Sequence, residues 1–407
     1  MFDNLKEILH NLSRDKTFHK IVIIFIISKV IILSGGFAGS FLPDVTHRIH
    51  VVDNEFLNGW AQYDASGYLD VAENGYNAQF HNNSGNYSLY PFLPLLIKIF
   101  SFVGYATAAF LIVNIASFLA VIALYLLVKG ELKSEKLAYK TLFYFLLFPT
   151  IYFMTAMYTE AIFVFLAVTM FLCARHEKWL YAGLLGFCLS LTRIHGIIIF
   201  IPMLYMYLSS RRHCVWTPSA SKHNGVYSLL KIQNINKSIL YLFLTPLGFV
   251  SFMLYQFIVT GNALIQFMHF SQYAKQISYP WTSVIGAISA IIHPNSLSML
   301  AYNFVNLSVF VLLTIATIYA FKYLKPEYGI YIVVNLLIVL VSSNLNGIGR
   351  YVLLMFPVFI VMAIASEKNR KLGTLLKITY IAFVIALFIL SMRHVNEGIY
   401  LTFTMAF

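Results

Sequence analysis

Long apolar runs separated by short polar segments dominate the chain. Several runs reach about 20 residues, the length that crosses a bilayer core as an α-helix. The pattern predicts an all-α polytopic membrane protein that forms one domain over residues 1–407. We predict about eleven crossings, with approximate edges at 21–42, 106–128, 138–156, 159–174, 179–192, 196–209, 238–260, 300–321, 328–343, 351–366 and 374–391.

Two further apolar segments, residues 87–103 and 282–293, fit this count less simply. If residues 87–103 crossed fully, the lysine-rich loop at 129–140 would lie outside the cell, against the positive-inside rule. We therefore predict that residues 87–103 lie partly in the membrane interface, and leave the crossing of 282–293 open. Residues 1–20 are polar and basic, and the run 21–42 is long enough to stay in the membrane rather than act as a cleaved leader.

The distribution of positive charge predicts how the chain is oriented across the membrane. Only 11% of the residues are charged and 59% are hydrophobic, although the formal net charge is +12. Of the 28 Lys and Arg residues, 21 lie in the N-terminus and in alternate loops, at 129–140, 175–178, 210–237, 322–327 and 367–377. This asymmetry predicts a cytoplasmic N-terminus and explains the net charge without a nucleic-acid partner.

The first extracytoplasmic loop, residues 43–105, is the most acidic part of the chain. Residues 43–88 hold six of the sixteen acidic residues. Within them, residues 60–76 read WAQYDASGYLDVAENGY, with Trp60, Tyr63, Tyr68, Leu69 and Ala72 at helical spacing. The spacing predicts a short amphipathic helix on the membrane surface, with Asp64 near its start and Asn74-Gly75 as its stop.

A carboxylate beside aromatic residues at a membrane surface suits two kinds of chemistry. It can act as general base on a hydroxyl acceptor, or it can bind a sugar or a metal. The alternative is structural: Asp64 caps the helix, where the dipole favours an anion, and Asp70 and Glu73 face water.

Other polar groups lie at predicted helix ends on the same side of the membrane. Glu160 begins a span after a tight turn, Arg193 and His195 interrupt one long apolar run, and Arg350 interrupts another. Ionisable groups at membrane depth cost free energy, and such residues commonly have a functional role. A single arginine at a helix end can instead be an interfacial anchor. Arginine suits fork-type contacts with phosphate, so the set suggests a lipid-phosphate substrate.

Several kinds of site lack sequence support. The chain has no Walker A, HExxH or GxSxG motif, and its histidines are scattered without metal-ligand spacing. Its three cysteines, Cys173, Cys188 and Cys214, lie in or beside predicted spans, which argues against a disulfide framework. We therefore predict no cofactor and no metal site, although acidic pairs could hold a divalent ion. Tripeptides at 82–84 and 86–88 match the N-glycosylation pattern, which often arises by chance.

Four blocks resemble the PIG-V-like mannosyltransferase family in the order in which that family has them. Residues 60–76 followed by 87–95 resemble its first-loop motif and the proline-rich stretch after it. Tyr158-Thr159-Glu160 resembles its Y-[ST]-E turn, residues 191–196 its T-R-x-x-G segment, and residues 349–357 its G-R-Y-x-x-x-x-F-P segment. The blocks cover about residues 55–365. Tyr63 stands where the family typically has Trp, and His195 where Asn is common.

The resemblance implies a GT-C glycosyltransferase fold with interfacial helices in the first loop and an extracytoplasmic active site. Such enzymes take a sugar, here most simply mannose, from a polyprenyl-phosphate carrier and transfer it with inversion to a lipid or glycan acceptor. The implied catalytic base is Asp64. The implied donor-phosphate ligands are Arg193, Arg350 and His195, and the implied substrate contacts are Glu160, Asp70, Glu73, Tyr63, Trp60 and Tyr351.

A transporter or flippase of lipid-linked sugars is the leading alternative. Transporters commonly place ionisable residues and broken helices near the bilayer midplane, often in repeats. In this chain the unusual charges gather at one predicted face, and Lys29 lies well inside a span. The pattern therefore favours the enzyme, in a prokaryotic plasma membrane or an ER-like membrane.

Overall fold

The computed structural model describes residues 16–42, 50–77, 85–211, 236–270 and 277–396. These residues form α-helices joined by short irregular segments, and they contain no named strand. The helices are α1 (Lys16–Gly39), α2 (Glu55–Trp60), α3 (Asp64–Asn74), α4 (Phe92–Ile99), α5 (Tyr105–Leu132), α6 (Glu135–Leu146), α7 (Glu160–Arg175), α8 (Trp179–Ser190), α9 (His195–Ile198), α10 (Phe200–Ser210), α11 (Leu244–Thr260), α12 (Ile265–Phe270), α13 (Pro280–Ile292), α14 (Leu297–Tyr323), α15 (Pro326–Leu340), α16 (Ile348–Tyr351), α17 (Pro357–Lys368) and α18 (Arg370–Asn396).

Five helical stretches of the described chain are long and apolar enough to cross a membrane. They are α1, α5, α14, α18 and α11 together with the 3-10 turn before it, Lys237–Phe243. A sixth candidate is the pair Ile348–Leu354 and Pro357–Lys368, which is bent by 84°. The protein is therefore a helical membrane protein. The higher count of eleven crossings stays a prediction, because the remaining apolar helices, among them α8, α13 and α15, are shorter.

The helices differ in how much protein surrounds them. All residues from Pro357 to Ser366 of α17 are buried, as are most residues of α7. In α14 and α18 only 22% of the most apolar stretch is buried, and in α1 28%, against 56% in α5. Apolar side chains can face lipid at little cost in free energy. Helices α1, α14 and α18 therefore form the outer face of the bundle, and α7 and α17 form its centre.

Two predicted spans are interrupted by proline. The sequence predicts a span over 138–156, but α6 ends at Leu146 and an irregular segment with a 3-10 turn, Ile151–Met154, follows. Pro149 explains this end, because proline disfavours helical backbone in the residue before it. The predicted span 351–366 is likewise broken before Pro357, which begins α17. Both breaks place non-helical backbone inside the bundle.

The first loop also folds differently from the predicted single amphipathic helix. Residues 55–74 form two helices, α2 and α3, separated at residues 61–63. The predicted stop is confirmed, since α3 ends at Asn74 and Gly75 follows with a φ of 77°. Residues 65–69, 71 and 72 are all buried, because α3 packs on α4 and α5. Protein therefore covers more of this helix than a surface-lying amphipathic helix would allow. The segment predicted as interfacial, 87–103, contains α4, an eight-residue helix.

The outer helix α1 packs along α18 through glycines. A Cβ built on Gly39 would lie 2.2 Å from the main-chain oxygen of Met392, and one built on Gly35 would lie 2.5 Å from that of Phe388. Small residues let membrane helices approach this closely. A side chain at either position would force the two helices apart.

We expect Gly39→Ala to lower the free energy of unfolding by about 1–3 kcal/mol, the usual cost of overpacking a close contact. The matched control is Gly130→Ala in α5, because a Cβ at Gly130 meets nothing within 4 Å. Thermal unfolding in detergent measures both. Equal midpoints for the two variants would contradict the close α1–α18 packing.

Candidate functional site

Four charged residues from separate parts of the chain meet at one place. Asp64 is the first residue of α3, and Glu160 is the first residue of α7. Arg193 lies in the break between α8 and α9, and Arg350 lies in the four-residue helix α16, which follows the break at residues 341–347 between α15 and α16. The helix starts and the two breaks agree with the sequence predictions at these positions. Acidic residues suit helix N-termini because the macrodipole is positive there.

These four side chains form one chain of ion pairs. The Glu160 Oε1 atom accepts hydrogen bonds from Arg193 Nη1 and from Arg350 Nε. On its other side, Arg350 Nη1 donates to Asp64 Oδ2 over 2.8 Å. The group therefore holds two carboxylates and two guanidinium ions and has no net charge. Glu160 keeps the two arginines close together despite their mutual repulsion.

Exposure separates Asp64 from the other three residues. The Asp64 side chain is 42% exposed, whereas those of Arg350, Arg193 and Glu160 are 14%, 12% and 0% exposed. Asp64 is therefore the carboxylate of this group that a substrate outside the bundle can reach. The arginines lie behind it, and Glu160 lies deepest.

Aromatic rings cover the two arginines. The Arg350 guanidinium carbon lies 4.8 Å from the centroid of the Phe153 ring and 4.6 Å from that of Tyr158. Arg193 lies 5.7 Å from the Tyr351 ring, and that ring packs at 5.0 Å on His195. Cation–π contacts in desolvated places are worth about 2 kcal/mol or more. The predicted ligands His195 and Tyr351 therefore lie beside Arg193.

The backbone just before Asp64 has an unusual conformation. Tyr63 has a φ of 58° and a ψ of −128°, which a residue with a side chain rarely adopts. The Tyr63 carbonyl accepts hydrogen bonds from the Ser66 amide (3.1 Å) and hydroxyl (2.7 Å). Such strain costs on the order of 1–3 kcal/mol and clusters at functional sites. Here it fixes where α3, and with it Asp64, begins.

Trp60 is part of the protein core. Its side chain is 1% exposed, and it packs against Gly36 and, at 5.8 Å between ring centroids, against His394. The Tyr63 ring lies 5.6 Å from the same histidine. The predicted contacts of Trp60 and Tyr63 with substrate stay predictions. The burial of Trp60 is what a structural residue shows.

Asp70 holds the loop that follows α3. Its carboxylate accepts hydrogen bonds from the side-chain amides of Asn74, Asn77 and Asn86, at 2.9, 3.0 and 2.7 Å. Asn86 is buried, so its amide is not accessible to a glycosylating enzyme in the folded protein. The other tripeptide of this pattern lies at 82–84, outside the described residues.

Glu73 is exposed on α3, and its main-chain carbonyl accepts from Lys98 Nζ at 3.4 Å. None of the contacts described for Asp70 or Glu73 joins them to the two arginines. Their predicted roles in substrate binding stay predictions.

Several buried polar atoms near this group have no hydrogen-bond partner among the described residues. They include Glu160 Oε2, Arg350 Nη2, Thr159 Oγ1 and the Tyr90 hydroxyl. Buried polar atoms are normally paired, so each of these calls for a water molecule or a ligand group. Burial also raises the pKa of Tyr68 to about 12. The positive charge of Arg193 lowers this pKa, and the negative charge of Asp64 raises it, but both effects are smaller than that of burial. The Tyr68 phenol therefore stays protonated and able to donate.

Sequence reasoning missed part of this surrounding shell. Phe153 and His394 were not predicted, because one aromatic or histidine residue inside an apolar run carries no distinguishing signal. Helical spacing did mark Tyr68, without assigning it to the site. Among the residues that the structure describes, no group of three or more His, Cys, Asp or Glu could hold a metal ion.

The chain was also compared with known proteins. No family model matches it. No curated protein is significantly similar to it.

We expect Glu160→Gln to destabilise the protein by about 3–5 kcal/mol, because it leaves two buried guanidinium ions without their shared anion. The matched control is Glu367→Gln, which removes a carboxylate that pairs with Lys136 and Lys140 at a partly exposed position. Thermal unfolding in detergent should show a large fall in midpoint for the first variant and little change for the second. Similar midpoints would contradict the role of Glu160 in holding the arginines.

Proposed function

We propose that the protein is a glycosyltransferase that moves a hexose, most simply mannose, from a polyprenyl-phosphate carrier to a hydroxyl acceptor, with inversion. The observation that carries this proposal is the chain of ion pairs in which Asp64, the exposed carboxylate, is joined to Arg350 and through Glu160 to Arg193. A base next to two phosphate-binding side chains, in a helical membrane protein, suits a substrate that is both lipid-linked and phosphorylated. The resemblance of the four sequence blocks to the PIG-V-like family supports the same reading.

In this mechanism Asp64 accepts the proton of the acceptor hydroxyl. The hydroxyl oxygen then bonds to the anomeric carbon of the donor sugar, while the bond from that carbon to the phosphate oxygen breaks. The phosphate leaves with the bonding electrons, and its negative charge is stabilised by guanidinium groups. One displacement from the opposite face inverts the anomeric centre. Asp64 is exposed enough to meet the acceptor, and general bases work within hydrogen-bond reach of the proton they take.

Arg193 and Arg350 are the proposed ligands of the donor phosphate. Guanidinium groups make paired hydrogen bonds to phosphate oxygens and stay charged when desolvated. Arg350 keeps a buried Nη2 atom without a partner among the described residues, which is donor capacity that a phosphate oxygen can use. His195, next to Tyr351 and Arg193, is the proposed third ligand.

Glu160 is the proposed contact for a sugar or acceptor hydroxyl that passes Asp64 and enters the bundle, since Glu160 itself is not exposed. Its Oε1 atom is occupied by both arginines, whereas Oε2 has no partner among the described residues. An ionised carboxylate oxygen that is buried needs a donor, because leaving it unpaired costs several kcal/mol. A hydroxyl of the bound substrate would supply that donor.

The proposed site is extracytoplasmic and the N-terminus cytoplasmic, as the charge asymmetry of the loops predicts. A transporter or flippase of lipid-linked sugars is the alternative for the same substrate class. Purified protein with labelled polyprenyl-phosphate sugars separates the two. Release or transfer of the sugar supports the enzyme, and movement of the intact lipid across vesicles without transfer supports the transporter.

We expect Asp64→Asn to lower turnover by about 10²–10⁴-fold, because it removes the general base. The matched control is Asp53→Asn, which changes an exposed carboxylate of the same loop that pairs only with His50 among the described residues. Transfer from the labelled donor is measured for both, with gel filtration in detergent as the check on folding. Near-full activity of a folded Asp64→Asn protein would contradict the assignment of Asp64 as the general base, and Asp70 would be tested next.

A further inference from the structure

The segment between α6 and α7 is irregular and completely buried. Residues 147–159 lie between the end of α6 and the start of α7, and the only regular part is the 3-10 turn Ile151–Met154. Every residue of the segment is buried. Non-helical backbone at membrane depth is tolerated only where protein or water satisfies its polar groups. Something must therefore satisfy the carbonyls of this segment.

This segment carries two of the rings that contact Arg350. Phe153 and Tyr158 lie within 5 Å of the Arg350 guanidinium, and Glu160 follows the segment directly. Tyr158 also donates its hydroxyl to the Gln62 carbonyl at 3.1 Å, next to the strained Tyr63. The conformation of residues 147–159 thus sets the surroundings of Arg350.

Lys29 reaches this segment from the outer helix α1. Its Nζ atom donates to the Thr155 hydroxyl at 2.7 Å, the Asn114 side-chain oxygen at 2.8 Å and the Met154 carbonyl at 3.0 Å. Asn114, on α5, in turn donates to the Thr155 carbonyl at 3.2 Å. Lys29 and Asn114 therefore supply hydrogen-bond donors to the polar groups of Met154 and Thr155, where the 3-10 turn ends.

The Lys29 amino group fits this place better than an amide or an apolar side chain. Its nitrogen makes three hydrogen bonds, one with each of its three partners, whereas an amide nitrogen has only two donors. No Asp or Glu among the described residues lies within ion-pair distance of Lys29. An ionisable group in a membrane span without a counter-ion is costly and is retained for a reason.

We propose that Lys29 is a positioning residue for the site: its side-chain amino group holds residues 147–159 in the conformation that places Phe153 and Tyr158 against Arg350. This inference rests on the proposed glycosyl transfer for its kinetic consequence. Lys29 itself touches none of the four charged residues. It acts through the Met154 carbonyl and Thr155.

The test compares Lys29→Met with Ser28→Ala. Ser28 is buried on the same helix and donates to the Leu146 carbonyl at 2.6 Å, so its loss removes a buried hydrogen bond to α6 and none to residues 147–159. At saturating donor and acceptor, we expect kcat to fall at least tenfold in Lys29→Met, since small misplacements at a site can cost about 10²-fold. We expect Ser28→Ala to keep kcat within twofold while its thermal midpoint falls.

Thr155→Val gives a milder change if Lys29→Met does not fold. It removes one of the three acceptors, and we expect a severalfold loss of kcat. In the double variant that combines Lys29→Met with Thr155→Val, the two losses of kcat should not be additive, because residues in contact are energetically coupled. A folded Lys29→Met protein with kcat within twofold of the wild type would overturn the proposal, as would an equal loss of kcat in Ser28→Ala.

Hydrogen–deuterium exchange provides a readout that does not depend on activity. We expect faster exchange in peptides covering residues 147–159 for Lys29→Met and unchanged exchange there for Ser28→Ala. Unchanged exchange in both would overturn the proposal. If the wild-type protein transfers no sugar but the exchange result is as expected, the proposed function is wrong. The conclusion that Lys29 stabilises the conformation of residues 147–159 is then still supported.

Discussion

The structure depends on the pairing of buried charge inside an apolar helical bundle. Glu160 is fully buried at the start of α7, and a lone carboxylate there would be costly, so both Arg193 and Arg350 are drawn to it. The other end of α7 carries a second network, in which Arg175 pairs with Glu131 of α5 and Glu327 of α15. At 1.5 Å per residue these two networks lie roughly 22 Å apart along α7. Ion pairs therefore anchor this central helix at both ends.

The irregular segments also support one another. The Phe92 amide donates to the Leu191 carbonyl at 2.9 Å, which ties the start of α4 to the break before Arg193. The Thr150 hydroxyl donates to the Gly349 carbonyl at 3.0 Å, which ties the segment after α6 to the break at Arg350. Main-chain carbonyls near a helix break need partners, and here the first amide of α4 and the Thr150 hydroxyl supply them. The backbone next to Arg193 and the backbone next to Arg350 are thus each held by a hydrogen bond from a distant part of the chain.

The sequence predicts the local features of the site and misses the long-range ones. The start of α7 at Glu160, the breaks around Arg193 and Arg350 and the stop at Asn74-Gly75 follow from turn residues and polar groups within apolar runs. Pro149 carried a readable signal that the long apolar run 138–156 obscured. The contact of Arg350 with Asp64 joins residues 286 positions apart. No periodicity encodes such a contact, since it depends on how α3, α7 and α16 pack.

The break at residues 61–63 shows why helical periodicity was misleading in the first loop. In one continuous helix, residues 60 and 64 would lie four apart and share a face, so Asp64 would follow Trp60 into the core. The structure instead ends α2 at Trp60 and begins α3 at Asp64, with the positive φ of Tyr63 between them. This turn leaves Trp60 1% exposed and the Asp64 side chain 42% exposed and paired with Arg350. The strain at Tyr63 therefore separates a buried anchoring residue from an exposed, ion-paired carboxylate, which a regular helix could not do at this spacing.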